Sequence, residues 1–179
     1  RAIELFGKVG ESRRMRTPTA IATACVAALL AVFAAGEVGA AAPNGAFNYT
    51  GTVTRVVDGD TLDVRLTSGK RERIRVIGVD TPERGTCFFA QASSRTAALA
   101  LGKPVTLRGD PTQDTRDRYG RLLAYVDVNG TADLGLALVK GGHAAVYVFR
   151  RPFVRLARYA AAAASAKGSR AGVWKACAR

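Results

Sequence analysis

The chain has 179 residues, with 27 Lys and Arg against 14 Asp and Glu, a formal net charge of +13 at pH 7. From Ala41 onward, 22 basic and 11 acidic side chains leave +11, an excess that favours a polyanionic partner, nucleic acid before an anionic surface. One histidine and no CxxC pattern argue against zinc centres and histidine-based hydrolysis.

The first segment with a clear pattern opens at Met15-Arg16 and continues as an uncharged, alanine-rich apolar run. Val38-Gly39-Ala40 and Ala40-Ala41-Ala42 follow, small-residue patterns suited to signal peptidase. Residues 1–42 are therefore read as an extension and export signal, cleaved near Ala40–Ala42, which would release a secreted or extracytoplasmic protein. A retained membrane anchor and a twin-arginine signal at Ser12-Arg13-Arg14 are the alternatives.

Residues 43–50 read as a linker that is strand-like from Phe47, and 51–177 as one domain. Val53, Val56 and Val57 lead into the turn Asp58-Gly59-Asp60, and Leu62, Val64 and Leu66 then alternate with polar residues, which predicts a hairpin. After Ser68-Gly69-Lys70, a third strand is expected from Arg71 to Val79, with Arg71, Arg73 and Arg75 on one face. Pro82 ends it.

Cys87 to Leu101 has the spacing of an amphipathic helix stopped by Gly102, and Pro104 to Arg108 reads as a strand. A polar loop spans Gly109 to Tyr119, and a further strand runs from Arg121 to Val128 up to the Asn129-Gly130 turn. Ala132 to Gly141 predicts a second helix, and a short apolar run covers Ala144 to Phe149. A third helix is expected from Pro152 to about Ala166, with Phe153, Leu156, Tyr159 and Ala160 inward and Arg151, Arg155 and Arg158 outward. The fold class is α+β, mainly β: a five-stranded antiparallel OB-type barrel with three packed helices.

Cys25 lies inside the signal run, which leaves Cys87 and Cys177. In an exported chain such a pair reads as a disulfide, contributing about 4 to 5 kcal/mol by loop closure.

Carboxylates and arginines remain for chemistry. Asp60 and Asp80, at two strand ends, would repel each other unless a cation intervened, which makes a hard-oxygen site for calcium or magnesium, with a backbone carbonyl near Thr81 and waters. Taken alone, Asp58-Gly59-Asp60 is also an ordinary hairpin turn. Arg75 and Arg121 are placed to grip a phosphate through paired hydrogen bonds. Glu83, stiffened by Pro82, is the candidate general base.

Three segments together carry a resemblance: Val57-Asp58-Gly59-Asp60-Thr61, then Arg75 with Val79-Asp80-Thr81-Pro82-Glu83, then Asp117-Arg118-Tyr119-Gly120-Arg121 with Leu123-Ala124-Tyr125. In order and spacing they resemble the thermonuclease (staphylococcal nuclease-like) family, from about Thr52 to Trp174. The resemblance implies an OB barrel with three helices and calcium-dependent hydrolysis of DNA and RNA to 3′-phosphates. It further implies Asp60, Asp80 and the Thr81 carbonyl as Ca²⁺ ligands, Glu83 as base, and Arg75 and Arg121 as phosphate clamps. Tyr119 matches the tyrosine near the terminal phosphate, and Tyr147 the one beside the base, so single-stranded or frayed DNA and RNA are the expected partners of a monomer.

Phe149 departs from the best-known member, where a second tyrosine is expected; the loop after Glu83 is shorter, and Cys87 and Cys177 are additions. The alternative to a nuclease is a non-catalytic OB module that binds single strands, which would bind oligonucleotides without shortening them. A third reading, an anchored envelope protein held to anionic polymers, turns on whether residues 1–42 are retained.

Overall fold

Apolar side chains alternate with polar ones along the first three strands, and the alternation sets which face turns inward. The structure, a computed structural model, describes residues 45–177; the expected signal and its cleavage site lie outside them. Strand β1 (Asn48–Val56) begins inside the stretch read as a linker, since Asn48–Thr50 already pair with β5 (Pro104–Arg108). β1 also pairs antiparallel with β2 (Thr61–Leu66), which pairs with β3 (Arg71–Val76). A register shift between Val53 and Arg55 inserts a bulge in β1, and Arg55 thereby meets Asp63 of β2.

β5 pairs antiparallel with β6 (Leu122–Val128), and β6 closes the barrel by pairing parallel with β3, Arg75 opposite Leu123. The five-stranded barrel is thus mixed, where an antiparallel one was expected. No hairpin could bring β3 and β6 together; the connection through α1 (Phe89–Ala100) and β5 lets them run the same way.

The expected strand to Val79 breaks after Val76. Gly78 takes φ +79°, and a Cβ on it would lie 2.5 Å from the Phe153 ring, so the turn requires glycine. The chain resumes as the two-residue β4 (Val79–Asp80), paired antiparallel with β8 (Ala145–Val146), inside the apolar run expected near residue 144.

Two short elements precede β8: β7 (Ala132–Asp133) and α2 (Leu134–Lys140), whose first residues the sequence pattern had merged into one helix. Asp133 caps α2 by accepting from Leu136 N–H at 3.0 Å. α3 (Leu156–Gly168) starts four residues later than expected, and a short α4 (Val173–Ala176) follows it. Leu134, Leu138 and Tyr159 join Leu62, Ile74 and Val126 in one core, fastening α2 and α3 to the barrel.

On α3 and the Arg155 that precedes it, the expected faces are corrected at two positions. Ala160 is exposed, and Arg155 turns inward. Its guanidinium reaches Asp127 at 2.8 Å and Asp133 at 2.7 Å and lies 4.1 Å from the Tyr125 ring centre. An arginine satisfied by two carboxylates and an aromatic face can be buried where an unpaired one cannot. Among the described residues, no helix is long and apolar enough to cross a membrane.

Candidate active site

The turn Asp58-Gly59-Asp60 divides its labour. Asp58 makes the turn, its Oδ1 accepting from Asp60 N–H at 3.1 Å, while the Asp60 carboxyl points into the protein. Asp60 Oδ2 accepts from Thr81 N–H at 2.9 Å and from Thr81 Oγ1 at 3.1 Å. Only glycine at 59 permits this approach, since a Cβ there would sit 2.5 Å from Thr81 Oγ1. Thr96 of α1 donates to Gly59 O at 2.6 Å and fixes the turn from behind.

Arg75 lies between the two carboxylates. Its Nε is 3.3 Å from Asp60 Oδ1, its Nη2 donates to Asp80 Oδ1 at 3.0 Å, and its Nη1 donates to the carbonyls of Val76 at 3.0 Å and Val79 at 2.6 Å. Those carbonyls belong to the end of β3 and to β4, so the turn at Gly78 orients the guanidinium. Burial pushes the Asp60 carboxyl above its ordinary range, against the pull of Arg75 and the Thr81 N–H.

A carboxylate in that position gains from added positive charge. The Asp60 and Asp80 carboxylates and the Thr81 carbonyl are hard oxygen donors, while Cys87 and Cys177 are bonded to each other and contribute no thiolate. This donor set fits Ca²⁺ or Mg²⁺. Among the described residues no three or more acidic, histidine or cysteine side chains gather, so a cation would take its other ligands from carbonyl oxygen, water and substrate.

Arg121, just before β6, arrives beside this corner through the β3–β6 pairing. Its Nη1 donates to Thr61 Oγ1 at 3.4 Å, and its Nε to Asp117 Oδ2 at 2.7 Å. Asp117 Oδ1 also accepts from the N–H groups of Tyr119 at 2.9 Å and Arg121 at 3.0 Å. Burial would raise the Asp117 carboxyl, but these bonds prevail and hold it below the usual carboxylate range. The exposed Tyr119 ring lies 4.8 Å from the Arg118 guanidinium and 5.3 Å from that of Arg121.

The polar loop carrying these residues is tied down at both ends. Buried Asp110 accepts from Tyr125 OH, from Thr112 N–H at 2.8 Å and from Val154 N–H at 2.7 Å. Arg116 grips Glu72 of β3 with two bonds, 2.9 and 2.8 Å.

Glu83 is exposed just past Pro82. Its carbonyl accepts from Thr86 N–H at 2.9 Å and Thr86 Oγ1 at 2.6 Å, which makes the short loop a tight turn. Cys87 and Cys177 are bridged, with Cα atoms 6.0 Å apart, so that turn is fastened to the end of α4. Tyr147 N–H donates to Gly78 O at 3.0 Å, extending the β4–β8 pairing by one residue and placing Tyr147 next to the strand that carries Asp80. The rings of Tyr147 and Phe149 lie 6.4 Å apart, stacked at 25° and both exposed.

With this geometry in place, comparison with known proteins decides the family. A model of the family described as staphylococcal nuclease homologues matches residues 73–176, more than half of the chain. The chain belongs to the staphylococcal nuclease family. Among curated relatives, Endonuclease YncB of Bacillus subtilis (strain 168) is 33% identical over 129 residues, 69% of this chain and 60% of its own length. The Micrococcal nuclease of Shigella flexneri is 39% identical over 101 residues, 56% of this chain and 55% of its own. An Uncharacterized endonuclease of Escherichia coli is 37% identical over 97 residues, 54% of this chain. This staphylococcal nuclease homologue spans about 60% of the length of the first of these relatives.

The structure brings Asp60, Thr81, Arg75, Asp80 and Arg121 to one corner, with Glu83 three residues beyond Asp80 and Tyr119 against Arg121. Tyr147 reaches the same margin through β8. Sequence reasoning passed over Asp117 and Thr61 as partners of Arg121. The i to i+4 spacing of Asp117 and Arg121 around Tyr119-Gly120 was the available signal for the first. Nothing local marks Thr61, whose partner lies 60 residues on.

Proposed function

We propose that this domain hydrolyses phosphodiester bonds of single-stranded or frayed DNA and RNA with Ca²⁺, leaving 3′-phosphate products. One observation carries the reading. Arg75 of β3 and Arg121, which immediately precedes β6, both contact the Asp60-Thr61 corner, at 3.3 and 3.4 Å. Two guanidinium groups held at one acidic corner form a clamp for a phosphate whose charge grows as water attacks. Asp60 and Asp80, with the Thr81 carbonyl, would hold the cation, which supplies positive charge to the phosphoryl oxygens when bound.

Arg75, oriented by the Val76 and Val79 carbonyls, offers its remaining donors to one phosphoryl oxygen, and Arg121, oriented by Asp117, to another. Glu83 takes a proton from the attacking water as its oxygen bonds phosphorus. The P–O5′ bond then breaks and the leaving O5′ takes a proton from solvent, while Glu83 releases the proton it accepted to solvent and returns to its ionised form, so the protons balance. Exposed Tyr147 and Phe149 provide faces for unstacked bases, which favours single strands without sequence choice. Tyr119, exposed against Arg121, would contact the terminal phosphate of the bound strand.

Digestion of denatured DNA with and without excess chelator tests this. Shortening that stops in chelator is expected. Undiminished cleavage refutes the calcium reading, and binding without shortening in calcium refutes hydrolysis. We further infer export with cleavage near Ala40–Ala42, supported by the Cys87–Cys177 bridge, which persists in oxidising compartments. The mass of the exported protein checks it: retention of residues 1–42 would refute cleavage.

A further inference from the structure

The phosphate corner opens onto a groove of about 630 Å³ that runs over the outer face of β1, β2 and β3. Arg55, Arg65, Arg71 and Arg73 line it together with Tyr119 and Arg121, so it is continuous with the site above. Arg71, Arg73 and Arg75 project from the same face of β3, one every ~6.6 Å, a ladder that begins inside the candidate active site and leads away from it. An extended, flexible single strand can follow such a ladder.

The pairing along the ladder is uneven. Asp63 neutralises its middle, accepting from Arg73 at 2.8 and 3.2 Å and lying 3.4 Å from Arg55. Arg65 and Arg71 are different: they stand directly opposite each other in the β2–β3 register, and both are exposed. Among the described residues neither forms an ion pair with a carboxylate. Like charges directly opposite across a strand pair destabilise it. Cationic side chains held in that arrangement complement a polyanion and gain by releasing its counterions.

Resting on the phosphodiesterase reading, we propose that this face is a second nucleic-acid track, in which Arg65 and Arg71 bind backbone phosphates of the substrate strand several nucleotides from the scissile bond. The track adds length-dependent affinity and takes no part in bond cleavage. It therefore favours long strands over short ones, through KM and not kcat.

The test uses the full chain carrying Arg65→Gln and Arg71→Gln, with thermal unfolding as the folding control and each single substitution alongside. Binding of a labelled single strand of about 12 nucleotides is followed by anisotropy, in chelator, across a salt series. The log–log salt slope should fall by about 1.4, so the wild-type advantage should shrink roughly sevenfold between about 50 and about 200 mM salt. A strand of about 3 nucleotides should bind both proteins alike.

A matched loss of two charges elsewhere, Arg158→Gln with Lys175→Gln, should leave the slope nearly unchanged. An equal fall in that control overturns the track, because the effect would then belong to net charge. An unchanged slope in the double variant overturns it as well. In a parallel digest, KM for the long strand should rise with kcat constant. Wild type that cleaves nothing would refute the hydrolysis reading alone, because the binding slopes are measured without turnover.

Discussion

Breaking the Cys87–Cys177 bridge, by Cys87→Ser with Cys177→Ser, should destabilise the domain far more than any exposed ion pair in it. The bridge spans 90 residues, enclosing α1, β5, β6, α2 and α3. Closing a loop of that size in the unfolded chain corresponds to about 4 to 5 kcal/mol, an upper figure because residual structure in the open chain subtracts from it. With about 2.1 cal/mol/K of unfolding entropy per residue, a domain of about 130 residues should lose about 15 to 18 °C in Tm. Calorimetry of wild type, reduced wild type and the double variant measures this, and the last two should agree. In the native state α4 keeps its own hold, through Val173 N–H on Gly142 O at 2.9 Å and Lys167 over Trp174 at 5.6 Å. Most of the loss should therefore be in Tm, with secondary structure at 25 °C unchanged. The bridge also ends the turn that carries Glu83, so kcat should drop, by less than the roughly 10²-fold of a 1 Å misplacement. A Tm shift below about 4 °C would refute the loop-closure argument.

Glu83→Gln should cost about 10² to 10⁴ in kcat with Tm unchanged, read by steady-state digestion and calorimetry. Asp117→Ala removes three hydrogen bonds to Arg121 and Tyr119 and should destabilise by about 2 to 3 kcal/mol in urea unfolding while raising KM. Asp117→Asn keeps an acceptor for the two N–H groups and should recover most of the stability but not the KM; equal behaviour of the two variants would show that Asp117 only supports the loop. Gly78→Ala should cost upwards of 1 kcal/mol from its positive φ and the Phe153 contact, measured the same way.

Acid should destabilise the fold with a definite sign. Burial raises the carboxyls of Asp110 and Asp127, but Tyr125, Thr112 and Val154 at the first, and Arg155 and Arg108 at the second, hold both below the ordinary 3.8. The Arg116 bonds likewise keep Glu72 below 4.5. A depressed folded-state pKa adds stability above the ordinary value and loses it as pH falls through the folded one, so ΔG should decline below about pH 4. Asp127→Asn should lower stability at pH 7 and flatten that limb; an unflattened limb would place the loss elsewhere.

Strands β1, β2 and β3, the glycine turns between them and the Asp80-Thr81-Pro82-Glu83 corner were legible because their signals are local: a period of two, a residue that tolerates positive φ, a proline that ends a strand. The cysteine pair was legible for a different reason: with Cys25 assigned to the expected signal run, Cys87 and Cys177 leave one pairing. The break at Gly78 was not, because glycine inside an apolar run is compatible with a continuing strand until the Phe153 ring is seen against it. Nor was Arg155: its spacing in the helix expected from Pro152 matches an outward position, and only the meeting of Asp127, Asp133 and Tyr125 makes an inward guanidinium stable.

By itself, then, the sequence determined the strand faces, the charged residues available for chemistry, the bridge and the family likeness. The tertiary structure decided how they combine. Parallel closure of β3 on β6 sets Arg121 beside Thr61 and Arg75, the short β4–β8 pair sets Tyr147 at the Asp80 margin, and the β2–β3 register sets Arg65 against Arg71. Each depends on which distant segments share hydrogen bonds, and a one-residue change of register would reverse the faces while leaving the local patterns as they are.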